Sequence, residues 1–137
     1  MALPVYAQFS PMYGTVVADV NGDGNLDIIG VGNSYASPSL FGWYDAGNGV
    51  SLLGNGKGNF INMPAYKSGF CVQTDAKALA TLSNSKNEML LISTSNRDSL
   101  KIFKTNIKNS YPDNLKSKRK HEVYLGAGYL SQSDSHQ

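Results

Sequence analysis

An all-β fold of short strands is what the sequence predicts, and three observations carry that expectation. Runs of β-branched, aliphatic and aromatic residues recur at intervals of about 8 to 12 residues with Gly, Asn, Asp or Ser clusters between them, the pattern of a sandwich, barrel or propeller. The composition, with 14 Gly and 8 Tyr among 137 residues, favours short strands and turns over helices. The runs also fall into two cycles: TVVADVNGDGNLDIIGVGN aligns loosely over KALATLSNSKNEMLLISTSN, each a strand, a polar loop, a strand and a closing Asn, roughly 60 residues apart. Propeller blades repeat every 40 to 50 residues or so, and an insertion such as residues 33–49 lengthens one.

Taken in order, residues 1–12 set Pro4 and Pro11 around VYAQF and read as an extended leading segment with little pairing capacity. Residues 13–69 form the first unit. A strand at 13–18 leads into an acidic loop, and a strand at 26–32 leads out of it. Residues 33–49 follow as a long loop of the kind that is usually functional or disordered. Its aromatics Phe41, Trp43 and Tyr44 argue against disorder and are expected to pack over the domain rather than to bind a ligand. Strands at 50–53 and 60–63 flank the turn GNGKGN, and 64–69 is a connector. Residues 70–104 form a second, degenerate unit, with strands expected at 70–72, 76–82, 89–94 and 100–103. Residues 105–137 are a basic linker and tail, with a strand-like run at 122–130. Their cluster Lys116, Lys118, Arg119 and Lys120 reads as a solvated face before it reads as a phosphate contact.

The whole chain sets further bounds. A net charge of +2 is too mild to imply a nucleic-acid partner. The single cysteine, Cys71, excludes an intrachain disulfide and is expected to be a buried apolar thiol. No segment approaches the roughly 20 apolar residues of a membrane span. MALPVYAQFSP is too short and polar for a secretory signal, so if the protein works outside the cytoplasm its export signal is expected on a longer parent chain.

The chemistry concentrates in the acidic loop, DVNGDGNLD at residues 19–27. Asp19, Asn21, Asp23 and Asp27 place side-chain oxygens at positions 1, 3, 5 and 9, and Gly22 and Gly24 allow the curl. Hard cations such as Ca²⁺ take six to eight oxygens, and alternate residues of a curled loop converge on one point. Asn25 at position 7 would add its backbone carbonyl. The loop is not a complete EF-hand, which needs a bidentate Glu at position 12 where this chain has Gly30; Asp27 must close the site instead. Strand-like flanks, not helices, make this a strand, loop, strand site. A plain Asx-rich turn is the alternative, but three carboxylates and an amide at alternate positions would repel one another without a cation. The second cycle keeps only Glu88 in its loop, so no second ion is expected.

Together with its flanks, this loop resembles that of the FG-GAP/VCBS repeat proteins, the calcium-loop β-propellers of integrin α subunits and bacterial surface proteins. The nearest likeness is to bacterial members related to cartilage acidic protein that carry ASPIC/UnbV-type C-terminal ends. The residues that bear the resemblance are AQFSP, DVNGDGNLDII, Gly32 with Asn33, YDAGNGVSLLGNGKGNF, SGF at 68–70, DAKAL at 75–79 and GAGYLSQSD. They span nearly the whole chain, with DVNGDGNLD the specific motif. The resemblance implies Ca²⁺ ligands at Asp19, Asn21, Asp23, the Asn25 carbonyl and Asp27. It also implies an extracellular, periplasmic or outer-surface location and a protein or glycan ligand at the cell surface. A propeller takes typically four to eight blades, and this chain supplies about two. The expectation is therefore an incomplete propeller: a C-terminal fragment of a larger one, or a subunit completed by self-association.

Catalytic constellations are scarce. His121 and His136 lie in polar terminal stretches, and neither G-x-S-x-G nor HExxH occurs. GNGKGNF lacks the Ser or Thr that would follow Lys57 in a P-loop. Asp45 and Asp75 read as isolated loop carboxylates. The expectation is a non-catalytic calcium-binding adhesion or interaction module. The alternative is part of a polysaccharide-active or carbohydrate-binding secreted protein that uses Asp45 beside Tyr44.

Overall fold

The computed structural model describes residues 3–37, 40–86 and 88–108. The basic cluster 116–120, the run 122–130 and both histidines lie outside them. The described fold is predominantly β. Seven strands form two antiparallel sheets: β1 Met12–Ala18, β2 Asp27–Gly32, β3 Val50–Gly54 and β4 Phe60–Asn62 in the first, and β5 Ala76–Ser83, β6 Glu88–Ser95 and β7 Lys101–Lys108 in the second. Each sheet is a meander in which chain neighbours are also spatial neighbours.

Four sequence expectations are corrected. Residues 70–72 are not a strand but an extended connector, because the Val72 N–H is spent on the carbonyl of Asn48 at 2.9 Å. Phe70 and Val72 still enter the core, and the alternation turns Cys71 outward, so the thiol expected to be buried is exposed. Strand β7 continues through residue 108, beyond the expected end at 103, into residues assigned to the basic linker. Two single turns of helix were not expected: a 3₁₀ turn at Val5–Gln8 within the leading segment, and α1 Ala65–Ser68 within the 64–69 connector. The latter is closed by left-handed Gly69, whose N–H bonds to the carbonyl of Ala65, as helix C-termini often are.

The two-cycle reading acquires a register. Met12 pairs Gly32 and, after a β-bulge, Gly14 pairs Val31. Ala76 pairs Ser95 and, after the same bulge, Ala78 pairs Thr94. Aligning the bulges matches Tyr13 with Lys77, Val16 with Ala80, Ile29 with Ile92 and Asn33 with Asn96. Asp27 matches Leu90, which is why the second loop lacks its carboxylate. Residues 33–49 between β2 and β3 correspond to the short turn 96–100 between β6 and β7, so the long loop is an insertion into the first unit.

The core lies between the sheets. Ile29 and Val31 of β2 meet Leu79, Leu91, Phe70, Val72 and Ala76, with Val16, Val20 and Phe103 packed alongside. The Phe70 and Phe103 rings lie 4.7 Å apart. The first strands of the two sheets meet at Gly14, where a Cβ would lie 2.5 Å from the Leu79 nitrogen and 2.8 Å from the Ala78 carbonyl carbon. Both atoms are backbone and cannot rotate away. Gly14→Ala is therefore expected to destabilise the fold by about 3 kcal/mol, the upper range for an overpacked core. Urea unfolding checks this, and an unchanged midpoint would mean that the sheets are not locked at this crossing.

Candidate functional site

The acidic loop joins the paired residues Ala18 and Asp27 at the ends of β1 and β2. It curls because its own side chains accept its own backbone donors. Asp19 takes the N–H of Gly22 at 2.6 Å and of Gly24 at 2.9 Å. Asn21 Oδ1 takes the N–H of Asp23 at 2.9 Å, and Asp23 Oδ1 takes that of Asn25 at 2.8 Å. Gly22 and Gly24 have φ of 81° and 83°, the left-handed backbone that glycine adopts without steric cost. Asp23 Oδ2 also accepts the Asn21 amide at 2.9 Å. That bond, then the Asn25 N–H, holds the exposed Asp23 carboxyl below its ordinary value of 3.8 against a small opposing effect of desolvation.

Asp27 behaves differently. It is fully buried at the base of the loop. One oxygen accepts the N–H of Val20 at 2.9 Å, and the other accepts the N–H of Gly54, at the end of β3, at 2.8 Å. The sequence assigns Asp27 to closing an ion site; the structure shows it closing the loop by hydrogen bonds and fastening the loop to β3. Gly54 is the residue that permits this approach, since a Cβ there would stand 2.1 Å from the Leu26 carbonyl oxygen. Asn25 is half-buried, its side-chain oxygen against Gly56 of the neighbouring 55–59 turn.

Along the loop Asn21 and Asp23 are exposed, Asp19 is half-buried, and Asp27 is fully buried at its base. Among the described residues no group of three or more His, Cys, Asp or Glu side chains is placed to hold a metal ion. The donor chemistry nonetheless fits a hard cation, all oxygen and mostly anionic. A carboxylate has about four lone-pair sites, so Asp27 retains acceptor capacity beyond its two backbone bonds.

Sequence reasoning missed a second constellation, a polar hub between the sheets. The bulge of β5 makes Lys77 the extra residue, and bulges redirect side chains in this way. Its ammonium lies 2.5 Å from Asp75 Oδ1, donates to the Asn33 carbonyl at 3.2 Å, and sits 4.0 Å from the ring centre of Tyr13. Tyr13 is the extra residue of the matching bulge in β1, so the two bulges meet as a cation–π pair. Asp75 is buried, and Asn96 donates to its other oxygen at 2.9 Å. Burial opposes its ionisation, but the Lys77 and Asn96 hydrogen bonds, the Lys77 charge and a backbone bond from Tyr35 outweigh it and lower its pKa from 3.8.

Asn33, also fully buried, has φ of 80°. Its amide donates to the carbonyls of Gly47 at 2.7 Å and Gln73 at 3.1 Å, while its oxygen takes the Gly47 N–H at 3.0 Å. The closing Asn of each cycle thus has a structural task. Asp75 is not the isolated loop carboxylate that the sequence suggests.

The inserted loop is pinned at its neck by reciprocal Ser34 and Tyr44 backbone bonds of 2.8 and 2.9 Å, and by the Tyr35 hydroxyl on the Gln73 carbonyl at 3.1 Å. Its aromatics do not pack over the domain as expected: Phe41, Trp43 and Tyr44 are more than half exposed, with Trp43 stacked on Tyr35 at 4.7 Å. It leaves β2 at Gly32, whereas the acidic loop enters β2 at Asp27. The two loops are therefore at opposite ends of a strand spanning roughly 20 Å at 3.3 Å per residue, and an ion in one cannot directly hold the other.

No family model, curated protein or solved structure matches this chain. Among the described residues no helix is long and apolar enough to cross a membrane.

Proposed function

We propose that this chain is a non-catalytic, calcium-responsive β-sheet module of the propeller-blade type, which presents its inserted loop to a protein or glycan partner. The observation that supports the ion is the curl of residues 19–25, where Asp19, Asn21 and Asp23 each turn side-chain oxygens onto the loop's own backbone N–H groups. Asp19, Asn21 and Asp23 would hold Ca²⁺ from the curl, the Asn25 carbonyl would add a fourth donor, and Asp27 would contribute from below. The cation would neutralise the loop carboxylates and tighten the loop that Asp27 fastens to β3. With no bidentate Glu and with Asp27 already engaged, affinity belongs in the weak range of about 10⁻⁴ to 10⁻³ M that suits extracellular modules.

Exposed Trp43, stacked on half-buried Tyr35 at the neck of the inserted loop, supports a recognition surface at the other end. Tyr and Trp are common anchors in binding sites. Calcium titration followed by calorimetry tests the ion site. Binding in this range by the wild-type chain, abolished in Asp23→Ala, is the expected result; heat that is unchanged by the substitution would count against it.

A further inference from the structure

We propose that Asn55, in the turn between β3 and β4, is a site of spontaneous covalent modification, at which the Gly56 nitrogen displaces the side-chain amide and leaves aspartate or isoaspartate. The chain holds three Asn-Gly pairs, at 21–22, 48–49 and 55–56. A glycine after asparagine leaves the attacking backbone nitrogen unshielded, because it carries no Cβ. What surrounds the reacting atoms separates the three pairs. Asn55 is exposed, and its Oδ1 accepts the N–H of Lys57 at 2.9 Å and that of Asn59 at 3.1 Å. Both donors are aimed at the oxygen on which negative charge develops when the amide carbon is attacked, and donors so placed lower the barrier. Among the described residues neither the Gly56 N–H nor the Asn55 amide nitrogen has a hydrogen-bond partner. Nucleophile and leaving group are both free to react.

The other asparagines lack this combination. At Asn21 the Gly22 N–H is held by the Asp19 carboxylate at 2.6 Å, and the amide nitrogen by Asp23 Oδ2 at 2.9 Å. A carboxylate against the nitrogen that must lose its proton opposes the anion it becomes. At Asn48 no donor among the described residues meets the side-chain oxygen, and Gly49 lies against the Phe70 ring. Asn84, in the equivalent turn between β5 and β6, has the same pair of donors on Oδ1, from Lys86 and Glu88 at 2.9 Å each. Ser85 follows it, however, and its amide is bonded to Glu88 Oε2 at 2.7 Å.

The step balances. The Gly56 N–H proton passes to solvent hydroxide, the bond from Gly56 N to Asn55 Cγ forms, the Cγ–Nδ2 bond breaks, and ammonia leaves with a proton from water. Water then opens the five-membered imide, at Cγ to give aspartate or at the main-chain carbonyl to give isoaspartate. The new carboxylate stands beside the acidic loop, since Gly56 lies against the side-chain oxygen of Asn25. The reaction requires no ion in that loop.

The test is incubation of the wild-type chain at mildly alkaline pH, folded and in denaturing urea, followed by peptide mass mapping with fragmentation. Exchange of ammonia for water marks each converted asparagine by its mass. In the folded chain Asn55 is expected to convert at least about tenfold faster than Asn21 or Asn48, a small part of what oxyanion donors supply in enzymes, with Asn84 unchanged over the same time. In urea the three Asn-Gly pairs are expected to convert at similar rates. Asn55→Ser keeps a hydroxyl acceptor for the turn and has no amide, so the fast mass gain is expected to disappear; if that variant does not fold, the wild-type map decides alone. Conversion of Asn21 or Asn48 as fast as Asn55 in the folded chain overturns the proposal. So does a preference for Asn55 that persists in urea, or a folded chain whose Asn55 stays intact while the unfolded chain converts.

Discussion

Asp27→Ala is expected to destabilise the fold by about 4 kcal/mol, from two charge-assisted hydrogen bonds lost and two backbone donors left without an acceptor. The carboxylate is fully buried and is the acceptor for Val20 on the loop and Gly54 on β3. A domain of this size has a total stability of about 5 to 15 kcal/mol, so the variant would sit near the edge of folding. Asp27→Asn keeps one acceptor and places an amide against the other N–H, and roughly half the loss follows. Denaturant unfolding in the presence of a chelator measures both without any contribution from the ion. Equal stability of all three proteins would mean that the loop is held by something other than Asp27.

Lys77→Met is expected to cost roughly 3 kcal/mol, because it leaves Asp75 buried without its counter-charge. The double variant Lys77→Met/Asp75→Asn is expected to recover part of the loss, since no unpaired charge then remains. The pair also predicts a pH dependence. The folded-state pKa of Asp75 is lowered from 3.8, so its ionised form stabilises the protein above that value, and this contribution is lost as pH falls through the lower folded-state value. Without Lys77 the remaining burial pushes the carboxyl up, so the part of the acid-side loss that comes from Asp75 is expected to shrink or reverse sign. Stability measured between pH 5 and pH 2, as an order-of-magnitude window for carboxylates, checks this. Identical acid slopes in wild type and Lys77→Met would contradict the assignment.

The strands were largely legible because their signal is local. Alternating apolar residues bounded by Asn, Gly and Asp mark β1, β2, β3, β5 and β6 within a residue or two of their ends. The curl of the acidic loop was legible for the same reason, since its alternating Asp and Asn side chains and its glycines lie within nine consecutive positions. Residues 70–72 misled because an apolar triplet in the core reads as a strand, and only the tertiary partner of Val72, the Asn48 carbonyl, shows otherwise.

The hub of Asn33, Asp75, Lys77 and Asn96 was not legible as a unit. Its members are separated by up to about 60 residues of chain and meet only because two bulges, at Tyr13 and Lys77, face each other across the sheets. The two phrases Gly32-Asn33 and DAKAL carried it in the sequence without any chemistry that a linear reading could derive. The exposed state of Trp43 was hidden for a related reason: an aromatic has the same local signature whether it fills a core or caps a pinned loop.

The central claim, that residues 19–27 bind Ca²⁺ as a clamp on the first sheet, is tested most directly by thermal melting of the wild type and Asp23→Ala, each in excess Ca²⁺ and in chelator. A cation that binds only the folded loop stabilises it by mass action, so the wild type is expected to melt higher with Ca²⁺, and Asp23→Ala to melt at one temperature in both conditions. A wild-type melting curve that Ca²⁺ leaves unchanged at concentrations well above 10⁻³ M, the weak end of such sites, would contradict the claim and leave the loop a hydrogen-bonded turn.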